Sequence, residues 1–267
     1  MFKTKSYLLL LFAFVIFSCS KDDDTNDPST PRIDKTANQQ TLGSSARDFL
    51  TADNFISIRL EIAYVQGYKP TQTSIDGLVK FLQSRCYKPA EISIKETVVA
   101  PTDDNKSLDI DEIVQIEADN RTVYNTGDEL GVWVFFADNN SDKDEDNSVI
   151  LGTAYRNTSC IIFEKTIQDI NNRLTGSDLS RMEGTSIQHE FGHLFGLVDL
   201  GTPMLVDHQD TTAADDGSST PNRHCNVDGC LMYYQTVTDI FSMVTGNNAI
   251  AEFDELCLAD LKANGGK

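Results

Sequence analysis

Five consecutive residues, His189-Glu190-Phe191-Gly192-His193, have the types and spacing to hold a metal ion with a base beside it. On a helix, positions four apart project from one face, one turn above the other, so His189 and His193 can aim two imidazoles at one ion. Neutral imidazole is a good ligand for Zn²⁺, and Glu190 beside the first ligand can reach a metal-bound water as general base. Gly196 follows three residues after His193, and Asp199 three after Gly196. Glycine can adopt the backbone conformation that ends a helix and turns the chain back, after which Asp199 could swing under the same metal. The chain has only four histidines, at 189, 193, 208 and 224, all within 36 residues. Asp199 therefore has two rivals for a third ligand position, His224 and His208. Asp199 has the better spacing, whereas imidazole is the commoner ligand.

The run His-Glu-x-x-His-x-x-Gly-x-x-Asp over 189–199 resembles the metzincin metalloproteases, including their snapalysin branch. A thermolysin-like arrangement would need a ligand Glu on a later helix, and there is no Glu between Phe191 and Ala251. The resemblance implies a methionine turn beneath the zinc, for which Met232 in the run 225–234 is placed. It also implies that Tyr234 is a transition-state ligand and that Gly152 and Ala154 belong to an edge strand that pairs with the substrate backbone. His224-Cys225-x4-Cys230-x-Met232 is similar to archaemetzincins, in which the His before that Cys is the third ligand. The Cys-x-x-Cys of archaemetzincins is missing further on, which points to a single catalytic Zn²⁺. A disulfide between Cys225 and Cys230 would brace the turn.

Under the resemblance, a zinc-bound water activated by Glu190 attacks a peptide bond, and Glu190 passes the proton to the leaving amine. The expected activity is that of a zinc metallopeptidase acting on protein or peptide substrates. The rival reading is a surface binding lipoprotein with a structural, non-catalytic zinc site closed by four protein ligands.

The rest of the chain must position these groups. Asn54–Gln66 alternates as a strand, Thr73–Cys86 has helical spacing, and Ala90–Ala100 is a second strand. Strand, helix, strand suggests a crossover with partly parallel pairing. Leu108–Ala118 reads as a helix and Leu130–Ala137 as a buried strand. Ser148–Tyr155 and Ser159–Phe163 read as a hairpin or edge pair, Glu164–Leu174 and Leu179–Leu197 as helices, and Ala251–Ala263 as a closing helix. The expected fold class is α+β or α/β: a metzincin-like domain with a mixed twisted sheet, an active-site helix, a methionine turn and a C-terminal helix. Asp138–Asn147 is acidic but lacks the central Gly and closing Glu of a calcium loop, so calcium is a minor alternative to a solvated loop.

Residues 1–19 combine Lys3 and Lys5 with an apolar run of 11, Tyr7–Phe17, too short to span a bilayer. With Ser18-Cys19 they resemble a bacterial lipoprotein signal, implying lipidation of Cys19 and a lipid anchor. Ser20-Lys21-Asp22-Asp23-Asp24 is similar to the export tag of Bacteroidota surface lipoproteins. The expected location is the outer membrane, at the cell surface; the alternative is a secreted or periplasmic protein. Residues 20–45 are polar and read as a flexible tether, which leaves 46–267 as the catalytic domain. Among 267 residues, 41 acidic against 22 basic give a net charge of −19, and no basic run offsets it, so nucleic acid is excluded as a partner. Five cysteines follow Cys19, an odd number; Cys86, Cys160 and Cys257 have no assignable pairing, and oligomeric state is not legible.

Overall fold

The computed structural model describes residues 34–102, 106–145, 148–174, 179–211, 222–233 and 250–267. Five strands form one sheet in the order β2-β1-β3-β5-β4: β1 is Ser57–Val65, β2 Ile92–Val99, β3 Glu129–Phe136, β4 Gly152–Arg156 and β5 Ser159–Ile162. β1 pairs in parallel with β2 and β3, and β3 in parallel with β5. Only β4 runs antiparallel, at the edge, because the short turn 157–158 returns the chain directly beside it. The sheet is thus mixed and mostly parallel.

Among the described residues the α-helices are α1 (Ala46–Leu50), α2 (Gln72–Arg85), α3 (Ile110–Asn120), α4 (Glu164–Leu174), α5 (Leu179–Leu194) and α6 (Glu255–Ala263). Three of the helices start on side-chain caps. Thr71 caps α2, Asp109 and Glu112 close a capping box on α3, and Asp254 caps α6. Period-two alternation in β1 and β3 divides the core. Ile58, Leu60, Ile62, Val132 and Val134 face α2, α5 and α6, while Ala63, Val65, Trp133 and Phe135 join Ile113 of α3 on the other side. β3 is buried on both faces, as expected of a strand inside a parallel sheet.

Helix α5 is enclosed on all sides from Met182 to Leu194. Phe191 and Phe195 interlock with Phe49 of α1, and Phe195 stacks on Phe81 of α2. The back of the helix is thereby fixed, and its imidazole-bearing face has a defined direction.

The expected tether 20–45 differs from the structure in its second half. Residues 34–45 belong to the same compact unit as the rest of the domain. Asn38 is fully buried, and its amide donates to Asn125 Oδ1, Gly131 O and Thr158 Oγ1. Gln40 and Asn157 exchange two further hydrogen bonds. A polar composition suggests a solvated chain, but here the polar groups are satisfied inside the fold.

Glu164 opens α4 in a buried position beside the Glu183 carboxylate, and burial followed by that like charge pushes its pKa up to about 9. Folding therefore holds a proton that the unfolded chain releases above its ordinary value near 4.5. The stability this group contributes is complete below that value and is lost as pH rises toward about 9. Glu164→Gln, which needs no proton, should raise the unfolding free energy at pH 7 by on the order of 1–3 kcal/mol. Urea titrations from pH 4.5 to 8.5 should show the gain growing with pH.

Candidate metal centre and catalytic cleft

His189 and His193 project from α5 with ring centroids 4.9 Å apart, and His224 completes a triangle at 5.1 Å from each. Their ligand atoms all lie within 4.8 Å of one another. His189 Nδ1 lies 2.7 Å from the Leu231 carbonyl oxygen and donates to it, which leaves Nε2 bare. That Nε2 stands 3.2 Å from His224 Nε2. Two nitrogens on a tetrahedral zinc at ordinary bond lengths are separated by about 3.3 Å, so the spacing fits. His193 Nδ1 is buried with no hydrogen-bond partner among the described residues. Burial pushes His189 down to about 3 and His224 to about 4, and holds His193 well below the ordinary imidazole range. All three are neutral at pH 7, the state a metal requires.

Glu190 is buried beside this triangle, and burial pushes its carboxyl up to about 8 against the opposing hydrogen bond from Ala154 N–H, at 2.7 Å. A Cβ on Gly152 would lie 2.7 Å from Glu190 Oε1. The small residues of edge strand β4 therefore make room for the Glu190 carboxyl group. Gly152, Ala154, His189, Glu190, His193 and His224 line one cavity of about 270 Å³. That is slightly below the usual range of small-ligand pockets.

A further contact joins α5 to the 222–233 loop. Met232 is fully buried, and its Sδ would lie 2.2 Å from a Cβ on Gly192, so glycine inside the helix lets the thioether reach the helix backbone between the two histidines. Gly192 was not singled out from the sequence; its place within the histidine motif was the available signal.

Asp199 is not brought into the triangle. Gly196 does turn the chain, with φ +74°, but Val198 and Asp199 are also left-handed, at 56° and 58°, and carry the carboxylate outward. Arg223 Nη1 donates to both Asp199 O, at 2.6 Å, and Asp199 Oδ2, at 2.8 Å. Asp199 thus braces the residue that precedes His224. His208 is also elsewhere: it is buried with Nε2 2.9 Å from Asp260 Oδ2 and Nδ1 3.3 Å from Cys225 Sγ. Tyr234 and Cys19 lie outside the described residues.

The expected Cys225–Cys230 disulfide is not formed. Their sulfurs converge with Cys257 and Asp254, all four ligand atoms within 4.8 Å of one another. Cys230 Sγ and Cys257 Sγ are 3.7 Å apart, far beyond a disulfide bond and close to the spacing of two thiolates on a tetrahedral zinc. Backbone N–H groups of Val227, Met232 and Asp254 point at these sulfurs at 3.4 Å. Hydrogen bonds from the neighbouring thiols Cys230 and Cys257, and from the Val227 N–H, hold Cys225 down at about 4; hydrogen bonding to Cys225 raises Cys257. A search for Cys-x-x-Cys misses this group because one corner is the carboxylate of Asp254-x-x-Cys257. Among the described residues, the acidic loop 138–145 forms no such cluster.

No protein-family model matches the chain, and no curated protein matches it. Among solved structures it is similar to archaemetzincin from Methanopyrus kandleri, at 13% identity, with 78% of this chain and 96% of that chain covered and a TM-score of 0.49.

Asp199→Ala should weaken zinc binding at the histidine triangle by about 10- to 100-fold, as for loss of a supporting residue. His224→Ala should weaken it by about 1000-fold or more, on the order of 4 kcal/mol. Competition against a chromophoric chelator separates the two; equal losses would restore Asp199 as a ligand.

Proposed function

We propose that the chain is a zinc-dependent endopeptidase whose metal is held by His189, His193 and His224. The observation that carries this reading is a buried carboxylate, Glu190, set beside three neutral imidazoles in a cavity that opens along the edge strand β4. When bound, zinc would supply Lewis acidity, activating a water and polarising the scissile carbonyl. Glu190 takes a proton from the attacking water at its carboxylate and returns it to the leaving amine. Its desolvated position favours both transfers, because the carboxyl sits near the working pH. The Ala154 N–H orients the carboxylate. The β4 edge offers main-chain groups to an extended peptide.

A purely structural zinc site is disfavoured. It would close with four protein ligands, yet Asp199 and His208 are engaged elsewhere, and such a site needs no buried Glu190. The Cys225, Cys230, Asp254 and Cys257 group is better suited to that role, holding a second zinc that fixes the 222–233 loop. Tyr234 as a transition-state ligand, lipidation at Cys19 and a cell-surface location complete the proposal.

Glu190→Gln should retain zinc and lower kcat/KM for casein-derived peptides by about 10²- to 10⁴-fold. Wild-type turnover by that variant would overturn the mechanism, and a chelator should abolish cleavage by the native protein. Elemental analysis should find two zinc ions per chain. Cys257→Ser should reduce the count to one and lower Tm.

A further inference from the structure

The segment 34–45 does more than pack against the domain. Asn157, in the turn after β4, holds it from one side: its amide donates to Ala37 O and Ser45 Oγ, both at 2.9 Å. On the other side the segment crosses the loop that follows α5. Gly43 has φ +80°, and a Cβ there would fall 1.6 Å from the Leu200 carbonyl oxygen. Gly201 has φ +108°, and its Cβ would lie 2.8 Å from Gly43 O. Two glycine backbones in left-handed conformations thus touch directly, and no other residue type allows that approach. The crossing leaves Leu42 and Leu200, from the two segments, lining the same cavity as His193 and Glu190. Both leucines are partly exposed there, and Leu42 also packs against the main core.

We propose that Leu42 and Leu200 form an apolar subsite beside the scissile bond, so that the N-terminal segment sets substrate preference. This rests on the peptidase reading above. A peptide added along β4 is held through main-chain groups, which select no side chain. Selection must come from the facing wall, and the Arg223 charge near it is already engaged by Asp199. An apolar pocket favours a large aliphatic or aromatic side chain and opposes a charged one, which would lose its hydration without a partner. The substrate class is therefore an extended polypeptide with a Leu-, Met- or Phe-type residue at one position flanking the cleaved bond.

The test is kcat/KM of the zinc-loaded full chain on a peptide panel varied at one position at a time, with products mapped by mass spectrometry. The wild type should favour Leu or Phe over Gly at one position by about 10- to 100-fold. Leu42→Ala should cut that preference at the same position. Leu42→Lys should move it toward Asp or Glu, a gain that misfolding cannot produce. Cleavage by all three proteins with one unchanged ranking would overturn the subsite and leave the peptidase reading intact. Absence of any cleavage by the zinc-loaded wild type would overturn both.

Discussion

The active region depends on the junction between helix α5 and the loop 222–233. One hydrogen bond, His189 Nδ1–H to the Leu231 carbonyl, fixes the tautomer of the first imidazole and turns its Nε2 toward the cleft. One residue on, Met232 seats against Gly192. Eight residues before Met232, the same loop delivers His224 to within 3.2 Å of His189. Three neutral imidazoles and a carboxyl in a desolvated cleft are costly unless something pairs with them. The junction holds that arrangement in place.

The loop itself is short of regular structure and is held by polar devices. Cys225 N–H bonds Met232 O at 2.8 Å, and Arg223 is tied to Asp199. Beneath it, Cys225, Cys230, Asp254 and Cys257 converge, with His208 and Asp260 as the outer support. Asp254 serves twice: it caps α6 through the Cys257 N–H, at 2.8 Å, and presents its carboxylate to the sulfurs. The order of the site thus passes from the closing helix, through a cysteine group, to the third imidazole.

Much of the scaffold was legible from periodicity. The strands at 57–65, 92–99 and 129–136 and the helices at 72–85 and 179–194 lie close to their expected bounds, because burial on one or both faces imposes a period on the residue types. The segment 34–45 was not legible. Asn38 and Gln40 are polar, and only the fold supplies Asn125, Thr158 and Asn157 as their partners. The disulfide expectation failed for a related reason. Two cysteines five apart can reach one another, but whether they pair depends on what else converges on them, here Cys257 and Asp254 from far along the chain.

The sequence by itself determined the pair of imidazoles with Glu190 beside them, because a helix converts a spacing of four into a shared face. It also determined the glycine that ends that helix and the small residues of the edge strand. Only the tertiary structure decided that His224, rather than Asp199 or His208, stands with His189 and His193. Spacing constrains where a side chain can point within a few residues. Across the 24 residues between Asp199 and His224, the described ends of the segment take their direction from left-handed backbone at 198, 199 and 223 and from the contacts those turns allow.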